Sequence, residues 1–287
     1  MNLLEKLTKT FVITTELGPV KGVFAAESIE KAGEYLPLDA INIHDCPMSN
    51  LRINSIAMAT LVQKRLDVAA IPHFTCRDRS LLGTQADLLG AHTLDIRNIL
   101  ATTGDPPKHG PYPSKAVYDY NTIELIQLIK KMNSGRDYND KEFGGATAFN
   151  IACTARPTAR DIDRELARMQ KKISAGADFF QTQVVYDAEK TITFLKKARK
   201  LGKPILIGVM PLKSVKMARF MNENVEGIDV PEEVISRMEN DGLTGIDITC
   251  DFIKAIAEYT DGVHIMAMGD VKGTNRIVEF TNTLVGR

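Results

Sequence analysis

The feature that most constrains the fold of this chain is an alternation. Short apolar runs recur along the sequence, and an amphipathic stretch follows each of them. The runs lie at residues 11–16, 40–44, 68–73, within 96–107, and at 146–153, 179–185, 205–209 and 263–268. Helical spacing of apolar residues marks 28–35, 52–64, 80–89, 122–132, 159–174 and 188–200. Three further helical segments, 214–222, 232–239 and 246–259, follow the seventh run, and 275–284 closes the series. Strands alternating with helices argue for a parallel sheet covered on both faces. Eight such units within 287 residues predict a closed (β/α)8 barrel, read as one domain over 1–287. An open, doubly wound sheet is the competing architecture, but no GxGxxG follows the first strand.

Composition removes several classes. Lys+Arg and Asp+Glu both number 36, so the net charge is zero and no nucleic-acid or membrane-surface role is indicated. No run approaches the roughly 20 apolar residues needed to span a bilayer. The start, Asn2-Leu3-Leu4-Glu5-Lys6, lacks the pattern of a signal peptide. Cys46, Cys76, Cys153 and Cys250 form no CxxC, so no metal or iron–sulfur site is expected, and reduced cytoplasmic thiols are.

A barrel carries its chemistry just past the C-terminal ends of its strands. That rule selects Glu16, His44 with Asp45, His73 with Thr75, Asp105, Asn150 late in the fifth strand, Arg156 beyond it, Gln183, and the Met268-Gly269-Asp270 turn. Asp105 sits in Gly104-Asp105-Pro106-Pro107, where glycine permits unusual backbone and the two prolines stop the strand. Taken alone, this is either a turn or an anchored carboxylate facing a ligand. Glu16 is either a rim carboxylate or a general acid or base with a tuned pKa. His73 reads as a hydrogen-bonded wall residue more readily than as a base. Arg77-Asp78-Arg79 reads as a surface ion-pair cluster. Glu165, Arg168 and Lys172 share a helix face that is either solvated or able to steer a pyrophosphate.

Five short motifs, in order and at fitting spacings, resemble the methylenetetrahydrofolate reductases of the bacterial type. They are Thr15-Glu16-Leu17-Gly18-Pro19, Pro72-His73-Phe74-Thr75-Cys76, Thr103-Gly104-Asp105-Pro106-Pro107, Ser174-Ala175-Gly176-Ala177-Asp178, and Gln181-Thr182-Gln183 with Tyr186-Asp187. The resemblance implies a flavin-bearing (β/α)8 barrel, with FAD or FMN, that passes hydride from NADH or NADPH to methylenetetrahydrofolate and yields 5-methyltetrahydrofolate in one-carbon metabolism. It implies Glu16 as the general acid that protonates N10, and an apolar strand end should raise its pKa. It implies Asp105 as the carboxylate between flavin and pterin, and Gln183 as a pterin-binding amide. Flavin contacts are implied for His44, His73, Thr103, Gly104, Asp105, Tyr118, Asn150, Arg156, Glu165, Arg168, Lys171 and Lys172. The expected assembly is a homo-oligomer, with a partner subunit left open.

The chain departs from the family pattern at Asn150-Ile151-Ala152-Cys153-Thr154-Ala155-Arg156, at Val215–Met221, and at His264-Ile265-Met266-Ala267-Met268-Gly269. These departures keep three alternatives in view: a flavin-independent folate reductase, a pterin-dependent methyltransferase, and a binding subunit that acts only with a partner.

Overall fold

The computed structural model describes residues 2–18, 20–225, 227–266 and 268–287. Pro19 and Ala267, which belong to two of the stretches quoted above, lie outside them, as do Met1 and Glu226. The strands are β1 (Val12–Leu17), β2 (Ala40–Ile43), β3 (Ala69–Thr75), β4 (Asn98–Thr102), β5 (Asn150–Ala155), β6 (Phe179–Val184), β7 (Ile205–Val209) and β8 (Gly262–Ile265). Each pairs in parallel with the next, and β8 closes onto β1 through Val12 opposite Gly262. The closed barrel predicted from the alternation is therefore the observed one.

The helices are α1 (Leu3–Lys9), α2 (Ala26–Ala32), α3 (Ser55–Leu66), α4 (Leu81–Thr93), α5 (Thr122–Met132), α6 (Ile162–Ala175), α7 (Ala188–Ala198), α8 (Val215–Asn224), α9 (Glu232–Asn240), α10 (Gly245–Ile256) and α11 (Val271–Val285). Outward-facing strand residues such as Ile13, Ile41, Phe74 and Ile151 join the helices' buried faces in one large core. None of these helices is long and apolar enough to cross a membrane.

The barrel interior has two storeys. Its floor is apolar: Val12, Ala40, Ile71, Leu100, Ala152, Phe179 and Leu206 meet Leu3 and Leu7 of α1. Each plugging leucine contributes about 1.5–3 kcal/mol by leaving water. The plug helix α1 is absent from the sequence reading. It is only 7 residues long, and its start is fixed by a capping box between Asn2 and Glu5. Above the floor the inward positions turn polar, with Thr14, Asn42, His73, Gln181 and His264 buried or nearly so.

Two local features set the register of the site. Residues 146–149 read as strand but precede it. The Asn133 side chain takes up the backbone of that segment by accepting from Phe149 N and donating to Phe149 O, so β5 starts only at Asn150. Between β6 and β7 the register shifts across Gln181 and Val184. There Thr182 Oγ1 donates to Gln183 O and accepts from Gly208 N. A Cβ on Gly208 would lie 2.6 Å from Thr182 O, so this irregularity requires glycine at the neighbouring position.

Candidate active site

The polar storey opens into a cavity of about 310 Å³ at the C-terminal mouth. Its wall includes His44, His73, Thr103, Gly104, Asp105, Arg156, Glu165, Arg168, Lys172 and Gln183. Glu16 does not line it. Glu16 sits one contact behind, with Oε2 3.1 Å from His44 Nε2. Strand parity explains the grouping, because Thr14 and Glu16 on β1 and Asn42 on β2 point inward, and His44 continues that face just past β2.

Three histidines cluster in this interior. His44 and His73 meet edge to face, with centroids 4.8 Å apart. His73 Nε2 accepts from Asn42 Nδ2, which also donates to Gln181 Oε1. Burial, then the charges of His44 and His264, hold the His73 pKa well below its ordinary value, so the ring is neutral. His264 shares a hydrogen bond of 2.9 Å with Thr14, and burial pushes its pKa down to about 4. His73 is thus a hydrogen-bonded wall residue.

The expectation for Glu16 is corrected. Burial does push its pKa up, but the hydrogen bond and charge of His44, the charge of His264 and the Met268 backbone outweigh that, and the net direction is down. Without a ligand, Glu16 is a carboxylate at neutral pH.

The Asp105 corner is held by more than its prolines. Gly104 has φ +85°, and an added Cβ would lie 2.9 Å from Thr75 Cβ and 3.0 Å from Arg77 Cβ. Asp105 Oδ2 accepts from Met48 N at 2.6 Å, and its carbonyl accepts from Ser49 Oγ and Arg77 Nη1. Arg77 is 2% exposed and also donates to Cys46 O. The ion-pair-cluster reading therefore misplaced Arg77, which is the internal clamp of this corner. Arg79 likewise turns inward onto Asp45 at 2.6 Å.

Gln183 lines the cavity, and its buried Oε1 has no hydrogen-bond partner. Thr103 bonds to Thr122, and the exposed Tyr118 donates weakly from its hydroxyl to Gly104 O at 3.4 Å.

On α6, Glu165 is buried and its Oε1 accepts from Arg156 N. Lys172 is also buried, and its ammonium donates to Thr154 O at 2.5 Å. Burial is the first cause of the lowered Lys172 pKa, and Arg168 and Arg156 add to it against Cys153 and Glu165. Arg156, Glu165 and Arg168 also line a second, larger groove of about 920 Å³, together with Arg160, Arg164 and Lys171. The two spaces share a wall, and the groove is strongly cationic.

Asn150 is a correction. It opens β5 instead of ending it, so it lies at the opposite, N-terminal end of the barrel. There its Nδ2 donates to Asn98 and to Asn2, the cap of α1. The misplacement follows from reading 146–149 as strand. Sequence reasoning also missed Asn42, Gln181 and His264. Their signal was alternation: each lies two residues from an inward neighbour on its own strand. Among the described residues, no group of His, Cys, Asp and Glu is placed to hold a metal ion.

Fold and site together define a (β/α)8 barrel with a carboxylate–imidazole pair and an anion-attracting groove at its catalytic mouth. A sequence model of methylenetetrahydrofolate reductase matches residues 4–282, and the chain belongs to that family. It is 28% identical to methylenetetrahydrofolate reductase 2 of Saccharomyces cerevisiae over 251 residues, 83% of this chain and 40% of that protein. It is 24% identical to the 5,10-methylenetetrahydrofolate reductase of Pectobacterium carotovorum subsp. carotovorum, over 68% of this chain and 63% of the other. The chain spans only 34–40% of the length of the first fungal relatives it matches. Among solved structures, the same fold occurs in an uncharacterized protein from Clostridium thermocellum that binds two copies of 5-methyl-5,6,7,8-tetrahydrofolic acid. That match has TM-score 0.64, 17% identity and 99% coverage of both chains.

Proposed function

We propose that the chain reduces 5,10-methylenetetrahydrofolate to 5-methyltetrahydrofolate with NADH or NADPH, using a bound flavin. The observation that carries this reading is the meeting of Asp105, Gln183 and the Glu16–His44 pair around one mouth cavity in a member of this family. Relatives bearing both nicotinamide names, NADPH and NADH, support the donor class.

The residues fit a flavin dinucleotide. The orphaned Gln183 Oε1 and the Asp105 carboxylate face a space for a ring system. The adjoining groove is cationic where a pyrophosphate needs charge-assisted donors. Arg156, Arg168, Lys171 and Lys172 are the groups to hold that pyrophosphate, and Thr103, Gly104 and Asp105 border the ring. When bound, the flavin supplies the two-electron relay between nicotinamide and folate. Asp105 places a fixed negative charge beside it. Gln183 offers an amide to the pterin edge. Glu16 delivers the proton to N10 as the five-membered ring opens.

Substitution separates these roles. Glu16→Gln should leave reduction of the flavin by NAD(P)H nearly intact and lower folate reduction about 10²–10⁴-fold, the usual contribution of a general acid. Equal losses in both half-reactions would make Glu16 structural. The first experiment is an anaerobic spectrum with FAD, FMN, NADH and NADPH in turn. A protein that binds neither flavin refutes the flavin part of the proposal.

A further inference from the structure

We infer that His44 is the proton partner of Glu16: the pair shares the proton that the departing folate nitrogen receives, and His44 recharges Glu16 in each turnover. The inference rests on the folate reaction proposed above. Its ground is the arrangement of the polar storey. Among the described residues, His44 is the one of three interior histidines in contact with a carboxylate, at 3.1 Å from Glu16 Oε2. His73 is tied to Asn42 and His264 to Thr14. His44 also lines the ligand cavity, which Glu16 does not, and its Nδ1 is buried without a partner.

A lone Glu16 cannot be the whole acid. Its pKa is shifted down, so the ligand-free site holds a carboxylate with no proton to give. The groups facing the pair offer no better source. Tyr35 has its pKa raised, first by burial and then by Glu16 and Asp270. Asp45 is engaged by Thr75 and Arg79, and Asp105 accepts from Met48 N. His73 and His264 are held neutral by burial. His44 remains.

The steps balance. The pair starts as imidazolium and carboxylate. Ligand binding removes water, which disfavours two separated charges. The Nε2–H bond breaks as the Oε2–H bond of Glu16 forms, leaving both groups neutral. That O–H bond then breaks as an N–H bond forms at the folate nitrogen, while the electron pair of the opening C–N bond becomes the lone pair protonated there. Glu16 is again a carboxylate. One proton from bulk water returns His44 to imidazolium after product leaves. His44 acts through Glu16 and is a positioning and recharging residue.

His44→Gln tests this, because glutamine keeps a donor toward Glu16 and cannot carry a titrating proton. His44→Asn is the second variant should the first not fold. Protons of a coupled pair leave in two steps that belong to both groups. In the wild type the folate half-reaction should fall at high pH with the upper step of the pair. In His44→Gln that limb should move to lower pH by about one unit or more, because a single carboxyl now sets it. At pH 8 the rate should drop about 10²-fold and recover toward low pH. Independently of turnover, the Glu16 carboxyl carbon, observed by NMR in ¹³C-glutamate-labelled protein without flavin, should titrate at higher pH in the variant than in the wild type. An unmoved limb with a uniform rate loss, or an unchanged Glu16 titration, overturns the inference. A wild type that accepts hydride into flavin but never reduces folate overturns the functional reading itself, whatever the NMR titration shows.

Discussion

Replacing Gly104 by alanine tests the corner that presents Asp105. Two costs arise, and the structure separates them. Gly104 has φ +85°, a region that costs an L-residue about 1–2 kcal/mol. The new methyl would also lie 2.9 Å from Thr75 Cβ and 3.0 Å from Arg77 Cβ. Both neighbours are the stiff first atoms of side chains, and Arg77 is fixed by its bonds to Asp105 O and Cys46 O. Overpacking of this kind costs about 1–3 kcal/mol. The expected loss is therefore roughly 2–5 kcal/mol if the corner holds its shape. If it moves, the loss is smaller, but the Met48 N–Asp105 bond breaks and flavin and folate binding weaken together. Gly144 is the control. It has φ +82° and nothing within 4 Å of an added Cβ, so Gly144→Ala carries the backbone cost alone. Urea unfolding of both variants, at unchanged slope, gives the two losses. If Gly104→Ala is no less stable than Gly144→Ala and binds flavin normally, the steric account of this corner is wrong.

Two further expectations concern the far end of the barrel. Asn150→Ala removes the donor to Asn98 and Asn2, so it should destabilise by roughly 1–3 kcal/mol while flavin titration is unchanged; weakened flavin binding at equal folding would put Asn150 back in the site. Asp39 accepts from Ile13 N and pairs with Arg287 and Lys6. Burial raises its pKa, but these partners outweigh burial, and the folded-state value is lowered. Its stabilisation is therefore present above the ordinary value near 3.8 and lost as pH falls through the lowered one. Asp39→Asn should flatten the acid limb of stability below about pH 4, and an unaltered limb in acid titration of folding would refute the assignment.

The barrel was legible because its signal is repeated. Eight runs can each be misjudged at their ends while the alternation survives, and β7 and α5 were read to the residue. The mouth positions of Glu16, Asp105 and Gln183 were legible for the same reason, since the end of a strand is a place in the fold. What failed depended on a single side chain acting across the sequence. Nothing local in Ala146-Thr147-Ala148-Phe149 announces that Asn133 will hold this segment out of the sheet. Nothing in Arg77-Asp78-Arg79 announces that Arg77 turns inward while Asp78 stays half exposed. The direction of the Glu16 pKa was illegible for a related reason. An apolar strand end raises a carboxyl only until a histidine from the next strand arrives beside it.

The two storeys of the barrel interior explain how such a site can be sustained. Buried polar atoms without partners cost about 1–3 kcal/mol each. Three of them, Asn42 Oδ1, His44 Nδ1 and Gln183 Oε1, belong to the polar storey or its mouth. Directly beneath lies the apolar floor, where Phe179, Leu100, Ile71 and the α1 leucines are removed from water. The floor needs no flexibility and the upper storey needs no self-sufficiency. A pterin or flavin edge carries the donors and acceptors that these orphans lack, so ligand binding completes a network that the chain leaves open. The Glu16–His44 pair sits at the junction between them. It is close enough to the cavity for His44 to line it, and deep enough for a bound ligand to strip its water and change which partner holds the proton.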